Sequence, residues 1–247
     1  TYFARVGTDI ITHLSKLSSI GEELDAGERL KIFRDFFKED VSATAEFDFK
    51  EAVKRGHDFK DWFAPDSMEF LQDHFKIDGR YGRVLYMQDY ATYVRDSMVS
   101  ELCDLSRNLM LSIDILPVPT DEAVREIQNK LLGVETNVTN WQRRQNENNN
   151  FSATIPYEME LQRTETKEML NDLTTRDQRM MFGVLTIVHM ADSYKELNSD
   201  TETLKSIARK NLCQLSTLRW QQMDGLHTAL PFGPRKINAL RTLTTES

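Results

Sequence analysis

The sequence contains little cysteine, and its histidines show no spacing typical of a metal site. Its 247 residues include two cysteines, Cys103 and Cys213, with no CxxC pair. Two distant cysteines exclude a disulfide framework and a cysteine-rich zinc site. The five histidines form no His-Glu-x-x-His or related ligand pattern.

Long apolar runs are also missing. The longest uncharged apolar stretch is Met180–Ala191, with 12 residues, whereas a membrane-spanning helix needs about 20. The first residues lack the charged head and apolar core of a signal peptide. A mean hydropathy of −0.51 with 40% hydrophobic residues is typical of a globular chain. We therefore expect an intracellular protein that contacts a membrane only through partners.

Motifs for nucleotide or acyl chemistry are absent from the sequence. It has no Gly-x-x-x-x-Gly-Lys-Ser/Thr phosphate loop, no Gly-x-Gly-x-x-Gly turn and no Gly-x-Ser-x-Gly elbow. One cluster of residues could carry metal or acid/base chemistry, although a solvent-exposed loop would contain the same kinds of residue. It consists of His57, Asp58, Asp61 and Asp66.

Charge is unevenly distributed along the chain. The net charge is −8, which argues against a highly cationic protein that coats nucleic acid without sequence specificity. Residues 205–247 instead hold seven basic and two acidic residues, a net charge of +5, and the other 204 residues carry −13. A basic end on an acidic body predicts a docking surface, although a solvated helix face and single-stranded DNA binding stay open. The candidate contacts are Arg209, Lys210, Arg235 and Lys236.

The first quarter of the chain is predicted to be helical. Residues 8–20 place apolar side chains on one helical stripe, and Asp25 and Glu28 have the spacing of a capping box. The helix that follows has an apolar face too broad to stay exposed. We expect residues 1–64 to form an N-terminal helical segment that packs on the rest of the chain or on a partner. Its candidate interaction residues are Phe33, Phe36 and Phe37.

Residues 65–233 are predicted to form an α+β domain. The pattern of elements is ββα β αα β α β, with the last strand beginning at residues 217–220, and it favours a ferredoxin-like mixed sheet with an inserted helical hairpin. The strand at 181–190 is apolar on both faces and should be central. Ser199 to Glu202 has the pattern of a capping box and predicts a helix start there.

A long helical hairpin is predicted between residues 120 and 178. Apolar residues from Val124 to Trp141 recur at spacings of three and four, and Pro156 suits the first turn of a second helix. The Asn-rich stretch between these helices predicts a projecting tip, where Asn148 is a candidate interaction residue.

Residues 234–247 are predicted to be a linker. They are polar, rich in Thr at the end, and no apolar run follows them. The chain also does not begin with Met. We therefore expect it to be a piece of a longer protein.

Two blocks of residues are similar to a known family. Phe-Lys-Asp-Trp-Phe-Ala-Pro-Asp at 59–66, with Tyr-Gly-Arg-Val-Leu at 81–85, resembles the amino-terminal part of conjugative type IV secretion ATPases (the CagE/TrbE/VirB family). Gly-Leu-His-Thr-Ala-Leu-Pro-Phe-Gly at 225–233 and the segment 241–247 resemble the part that leads into their motor domain. The similarity covers most of the chain and is closest to forms from Gram-positive conjugative elements.

The resemblance implies a non-catalytic docking and assembly domain of a conjugative-transfer ATPase. It implies partners: membrane-embedded channel proteins, the protein's own ATPase domain and further copies of the chain; the net charge argues against nucleic acid as a partner of this chain. It also implies a cytoplasmic location at the inner face of the cell membrane. ATP and Mg²⁺ are expected in the absent motor domain, and no cofactor is expected here. A self-contained hydrolase and a single-stranded DNA-binding module are the alternative hypotheses.

Overall fold

The computed structural model describes residues 2–38, 47–91, 96–104, 108–150 and 154–245. The chain divides into two units. Unit 1 comprises Thr1–Glu69 and Lys76–Gly79, and unit 2 comprises Phe70–Phe75 and Arg80–Ser247.

Four helices build the described part of unit 1. They are α1 (Tyr2–Lys16), α2 (Ala26–Phe37), α3 (Phe49–Arg55) and α4 (Phe59–Phe63). The predicted capping box opens α2. The Asp25 carboxylate accepts a hydrogen bond from the Glu28 backbone N–H at 2.8 Å, and the Glu28 carboxylate accepts one from the Asp25 N–H at 2.8 Å. Asp48 likewise caps α3 by accepting from the N–H groups of Lys50 and Glu51. Both helix starts are predictable from sequence because the capping hydrogen bonds join residues two or three positions apart.

Aromatic side chains of α2 and α4 pack together in unit 1. Phe33 and Phe37 are 6% and 5% exposed, and their ring centroids lie 5.5 and 6.3 Å from that of Phe63. The Arg34 guanidinium lies 4.7 Å from the centre of the Trp62 ring, which is a cation–π contact. The broad apolar face of α2 is therefore covered within the chain.

Two short strands, β1 (Met68–Phe70) and β2 (Phe75–Ile77), cross the boundaries between the units along the chain. The other described elements belong to unit 2. They are β3 (Arg80–Asp89), α5 (Asp96–Cys103), β4 (Leu109–Pro117), α6 (Thr120–Glu147), α7 (Tyr157–Thr175), β5 (Met180–Ala191), α8 (Tyr194–Lys210), β6 (Gln214–Thr217), α9 (Gln222–Ala229) and β7 (Arg241–Thr244).

The strands of unit 2 pair in the order β6-β3-β5-β4. Leu85 of β3 pairs with Ile187 of β5 on one side and with Thr217 of β6 on the other. On its far side β5 pairs with β4, and its first residues pair with β7. With α5 between β3 and β4, and α8 between β5 and β6, this is the ferredoxin-like arrangement. The predicted α+β class is confirmed. The sequence predicted a mixed sheet, whereas these four ladders are antiparallel.

The two faces of the sheet are covered by different helices. On one face, α5 and α8 pack on β3, β5 and β6; this core contains Leu85, Met87, Met98, Leu102, Leu185, Ile187, Leu204, Ala208 and Leu215. On the other face lies α9, where a Cβ on Gly225 would come within 2.4 Å of the Leu218 side chain and 2.9 Å of Val84. Only a residue without a side chain permits this approach. The central position predicted for β5 is confirmed.

The buried side chain of Gln222 completes the hydrogen bonding of β3. Its Oε1 accepts from the Val84 N–H at 2.8 Å, and its Nε2 donates to the Val84 carbonyl at 3.2 Å. Gln222 therefore replaces a strand neighbour at the point where β6 has ended.

The predicted helical hairpin is present as α6 and α7. Buried side chains on both helices, including Val134, Val138 and Thr166, lie between them. Ion pairs add to this contact: Glu135 lies 2.9 Å from both the Arg163 Nε and the Lys167 Nζ. A helix of 28 residues extends about 42 Å at 1.5 Å per residue.

Two parts of unit 2 differ from the sequence predictions. The helix predicted to start at Ser199 starts at Tyr194, and Ser193 is its cap, accepting from the Glu196 N–H at 3.2 Å. Residues 217–220 were predicted to begin a strand, but β6 ends at Thr217 and α9 follows. Within the predicted linker 234–247, residues 241–244 form β7; the last two residues lie outside the described part. A linker to a following domain stays a prediction.

Candidate docking surfaces

The predicted interaction residues of α2 lie mostly inside unit 1. Phe33 and Phe37 are buried in the aromatic cluster, and Phe36 is half-buried with its ring 5.1 Å from that of Phe37. Their surfaces are already occupied by intramolecular packing. A partner contact through these three residues stays a prediction.

α1 presents an apolar stripe that unit 1 leaves exposed. We define the α1 stripe as Phe3, Val6, Ile10 and Leu14 of the helix together with Leu17 in the turn after it; their positions follow the spacing of one helix face. Each is exposed, from 36% for Leu14 to 84% for Phe3, and no residue of α1 is buried. Polar residues, among them Thr8 and Thr12, occupy the opposite face. Such a stripe is typical of a helix that packs against a partner.

The other predicted contacts lie in unit 2. Asn148 is exposed at the hairpin tip, where it follows the last residue of α6. At the end of α8, Arg209 lies 3.9 Å from Glu202, and Lys210 lies 3.1 Å from Glu101.

Arg235 and Lys236 follow α9. Arg235 is half-buried, and its Nη1 donates to the Ile237 carbonyl at 2.6 Å. Lys236 is exposed, with its Nζ 2.9 Å from the His227 Nδ1. The basic candidates thus lie at two places in unit 2, α8 and the segment after α9.

The cluster predicted as an alternative catalytic site is on the surface and has a local structural role. The His57 Nδ1 lies 3.7 Å from the Asp61 carboxylate, and both side chains are more than 60% exposed. The Asp61 carboxylate accepts from the Asp58 backbone N–H at 3.0 Å at the start of α4. Asp66 is exposed. Among the described residues, no group of three or more His, Cys, Asp or Glu side chains is placed to hold a metal ion.

A buried polar network links three elements of unit 2. Arg83 is 4% exposed. Its Nη2 lies 2.9 Å from the Asp73 carboxylate, and its Nε donates to the Asp73 carbonyl at 2.9 Å. Its Nη1 donates to the Thr201 hydroxyl at 2.8 Å, which in turn lies 3.1 Å from the His189 Nε2. His189 is therefore a hydrogen-bonded core histidine. The network holds α8 on the sheet.

The network also sets the charge state of Asp73. Burial by itself raises the pKa of this carboxyl group, but the hydrogen bond with His74 and the charge of Arg83 outweigh burial and hold the pKa below its usual value. Asp73 is therefore a carboxylate throughout the neutral range. Asp114 of β4 shows the opposite balance, because burial raises its pKa more than the charge of Arg235 lowers it.

A groove in unit 2 runs along the free side of β6. We call it the β6 groove; its volume is about 940 Å³. It reaches both faces of the sheet, since Lys205 and Arg209 line it from α8, and Tyr86 and Gln88 line it from the opposite face of β3. Arg219 also lines it. Among the described strands, β6 pairs with β3 alone, so its other edge faces the groove.

Exposed apolar side chains flank β6 on both sides along the chain. Leu212 precedes the strand and is 82% exposed, and Trp220 follows it and is 77% exposed. Both have a left-handed backbone, with φ of 57° and 60°, a conformation that non-glycine residues adopt rarely. The Trp220 N–H donates to the Gln72 carbonyl at 2.7 Å, which holds the bend. The sequence pattern predicted that Trp220 lies in a strand and did not indicate that its side chain is held exposed beside β6.

No described helix has the length and apolar character needed to cross a membrane. No protein-family model matches this chain, and no curated protein matches it.

Proposed function

We infer that this chain is the non-catalytic docking and assembly domain of a conjugative type IV secretion ATPase, which powers the transfer of DNA or protein. The observation that carries the proposal is the exposed α1 stripe. An apolar helix face of this kind gains free energy when another surface covers it, about 25 cal/mol per Å² of apolar surface buried. The similarity of residues 59–66 and 225–233 to the family supplies the functional class.

The proposal assigns the stripe to membrane-embedded proteins of the conjugation channel. An amphipathic helix can bind a partner by laying its apolar face into an apolar groove or against an apolar helix. The domain would then lie in the cytoplasm at the inner face of the cell membrane. Its own ATPase domain would follow residue 247 and bind ATP and Mg²⁺, and this domain would help further copies of the chain to assemble.

The test is affinity capture of the channel membrane proteins that are encoded with this chain, co-produced with it and extracted in detergent. Ile10→Glu and Leu14→Glu place a charge in the stripe. Each should lower the affinity for the partner by about ten- to a hundredfold, because burying such a side chain contributes about 1.5–3 kcal/mol. Thr8→Glu and Thr12→Glu place the same charge on the opposite face and should leave capture unchanged. Equal capture by all four variants would contradict the proposal.

Two further measurements separate this function from the hydrolase hypothesis. The purified chain should turn over neither ATP nor phosphoesters, with or without divalent metal ions. The reading frame of the parent gene should continue beyond Ser247 into a Gly-x-x-x-x-Gly-Lys-Thr loop. Turnover that survives repurification and disappears in His57→Ala would replace the docking proposal with an enzyme.

A further inference from the structure

We propose that the open edge of β6 binds an extended acidic peptide segment of a partner protein, which joins the sheet of unit 2 as an additional strand. This site lies in unit 2 and is independent of the α1 stripe. Either proposal can therefore fail without the other.

The backbone of β6 offers hydrogen-bonding groups on its free side. The Leu218 N–H donates to the Val84 carbonyl of β3 at 3.2 Å, and Leu215 and Thr217 pair with Met87 and Leu85. Because backbone groups alternate in direction along a strand, Leu215 and Thr217 direct their N–H and carbonyl groups away from β3. Both residues line the β6 groove. An added antiparallel or parallel strand would pair with these groups.

The shape of the groove fits a strand rather than a compact ligand. Its lining residues come from both faces of the sheet, so the groove follows the edge of β6 instead of entering the core. An added strand places alternate side chains on the two faces. On one face these side chains would meet Lys205 and Arg209, and on the other they would meet Tyr86 and Gln88.

The charge of the groove selects an acidic occupant. Lys205, Arg209 and Arg219 line it, against one acidic residue, Asp89. Glu202 of α8 lies 3.3 Å from Lys205 and 3.9 Å from Arg209 and does not line the groove. Arg219 forms no ion pair within the part of the chain that the structure describes. Carboxylates on a bound strand would complement these cations.

The apolar side chains at the ends of β6 indicate a mixed sequence in the partner. Leu212 and Trp220 are highly exposed and are held by left-handed backbone on either side of the strand. They would cover apolar residues that follow or precede the acidic ones. Within the segment, Lys205 and Arg209 on one face and Tyr86 on the other favour alternation of acidic and apolar residues, because successive side chains of a strand point to opposite faces.

The same cations and Trp220 could stack and bind single-stranded nucleic acid, but two observations favour the peptide. A nucleic acid has no backbone groups that match the outward N–H and carbonyl groups of an edge strand. The chain as a whole carries a net charge of −8, which opposes a polyanion at long range.

The test uses a fluorescein-labelled eight-residue peptide that alternates Glu and Val, titrated with the full chain and followed by anisotropy. N-methylation of one set of alternate residues should weaken binding about tenfold, because it removes inter-strand hydrogen bonds. N-methylation of the other set should leave affinity within about threefold, because those groups face away from β6. The Lys-Val analogue should not bind.

Variants of the chain locate the site. Thr217→Pro removes only an outward N–H and should abolish binding, and circular dichroism checks that it is folded. Arg219→Glu should weaken binding about tenfold through loss of charge complementarity. Arg144→Glu, an exposed control in α6, should bind as the unchanged chain does.

Four outcomes would overturn the proposal: no saturable binding of the Glu-Val peptide, equal effects of the two N-methylated sets, unchanged affinity in both Thr217→Pro and Arg219→Glu, or displacement of the peptide by a short oligothymidine with higher affinity. The last outcome would assign the groove to nucleic acid. A chain dimer that the peptide does not disrupt and that Thr217→Pro abolishes would assign the edge to a second copy.

Discussion

Replacing Asp73 by asparagine should lower the free energy of unfolding of unit 2 by about 2 kcal/mol at pH 7, because it leaves the buried Arg83 cation without its counter-charge. The Arg83 Nη2 lies 2.9 Å from the Asp73 carboxylate. Opposite charges about 4 Å apart interact by about 4 kcal/mol at an effective dielectric constant near 20. The Asp73 side chain is 35% exposed, so water screens part of this energy, and asparagine keeps the shape of the side chain.

The pH dependence of this loss has a defined sign. The pKa of Asp73 in the folded chain lies below its value in the unfolded chain, about 3.9. The carboxylate therefore contributes its stability above about pH 4, and this contribution is lost as the pH falls through the folded pKa. The difference in unfolding free energy between the unchanged protein and Asp73→Asn should shrink below pH 4.

Urea unfolding followed by far-ultraviolet circular dichroism at pH 7 and pH 3 measures both effects. Glu147→Gln is the matched control, since Glu147 and Arg143 form an exposed ion pair 3.8 Å apart in unit 2; its loss should cost less than about 0.5 kcal/mol. A cost for Asp73→Asn no greater than that of the control, or a difference that persists undiminished at pH 3, would refute the reasoning.

Two further substitutions test local features of unit 2. Ser193→Ala should destabilise it by about 1 kcal/mol through loss of the α8 cap, whereas Ser199→Ala, inside the helix, should change the urea midpoint little; the reverse order would place the helix start where sequence alone predicted it. Gln222→Leu should cost about 1–3 kcal/mol, because the Val84 backbone groups lose their partner, and exposed Gln221→Leu is its control; equal midpoints for these two variants would show that the Val84 groups find another partner.

The parts of the fold that sequence predicted correctly depend on neighbours close in the chain. The cap of α2 joins Asp25 and Glu28, three residues apart, and the hairpin helices repeat apolar residues at spacings of three and four. The apolar run of β5 predicted a central strand because both its faces need cover. The start of α8 was predicted wrongly because two serines could cap it. Ser199 to Glu202 matches a capping box, but Ser193 is the cap, and Thr201 is buried in the interior of α8.

The candidate surfaces were predicted less well, because exposure depends on what the rest of the chain covers. The phenylalanines of α2 and the apolar residues of α1 look alike as patterns, yet α4 covers Phe33 and Phe37 and leaves the α1 stripe uncovered. The basic segment 205–247 predicted a docking surface and contains all three groove cations, but nothing in the sequence placed them around a strand edge. Lys205 lies in α8 and Arg219 in the bend after β6, and both line the groove only because β6 follows α8 at the edge of the sheet.

Sequence by itself determined the α+β class, the helical hairpin, the central strand and the absence of known nucleotide motifs, since periodicity, capping and spacing act over a few residues. Tertiary structure alone decided that Arg83 lies buried between Asp73 and Thr201, and that among the described strands β6 pairs on one side only, with cations lining its other edge. Burial, ion pairing between distant residues and the open side of a strand are properties of packing, and packing brings together residues that are more than a hundred positions apart.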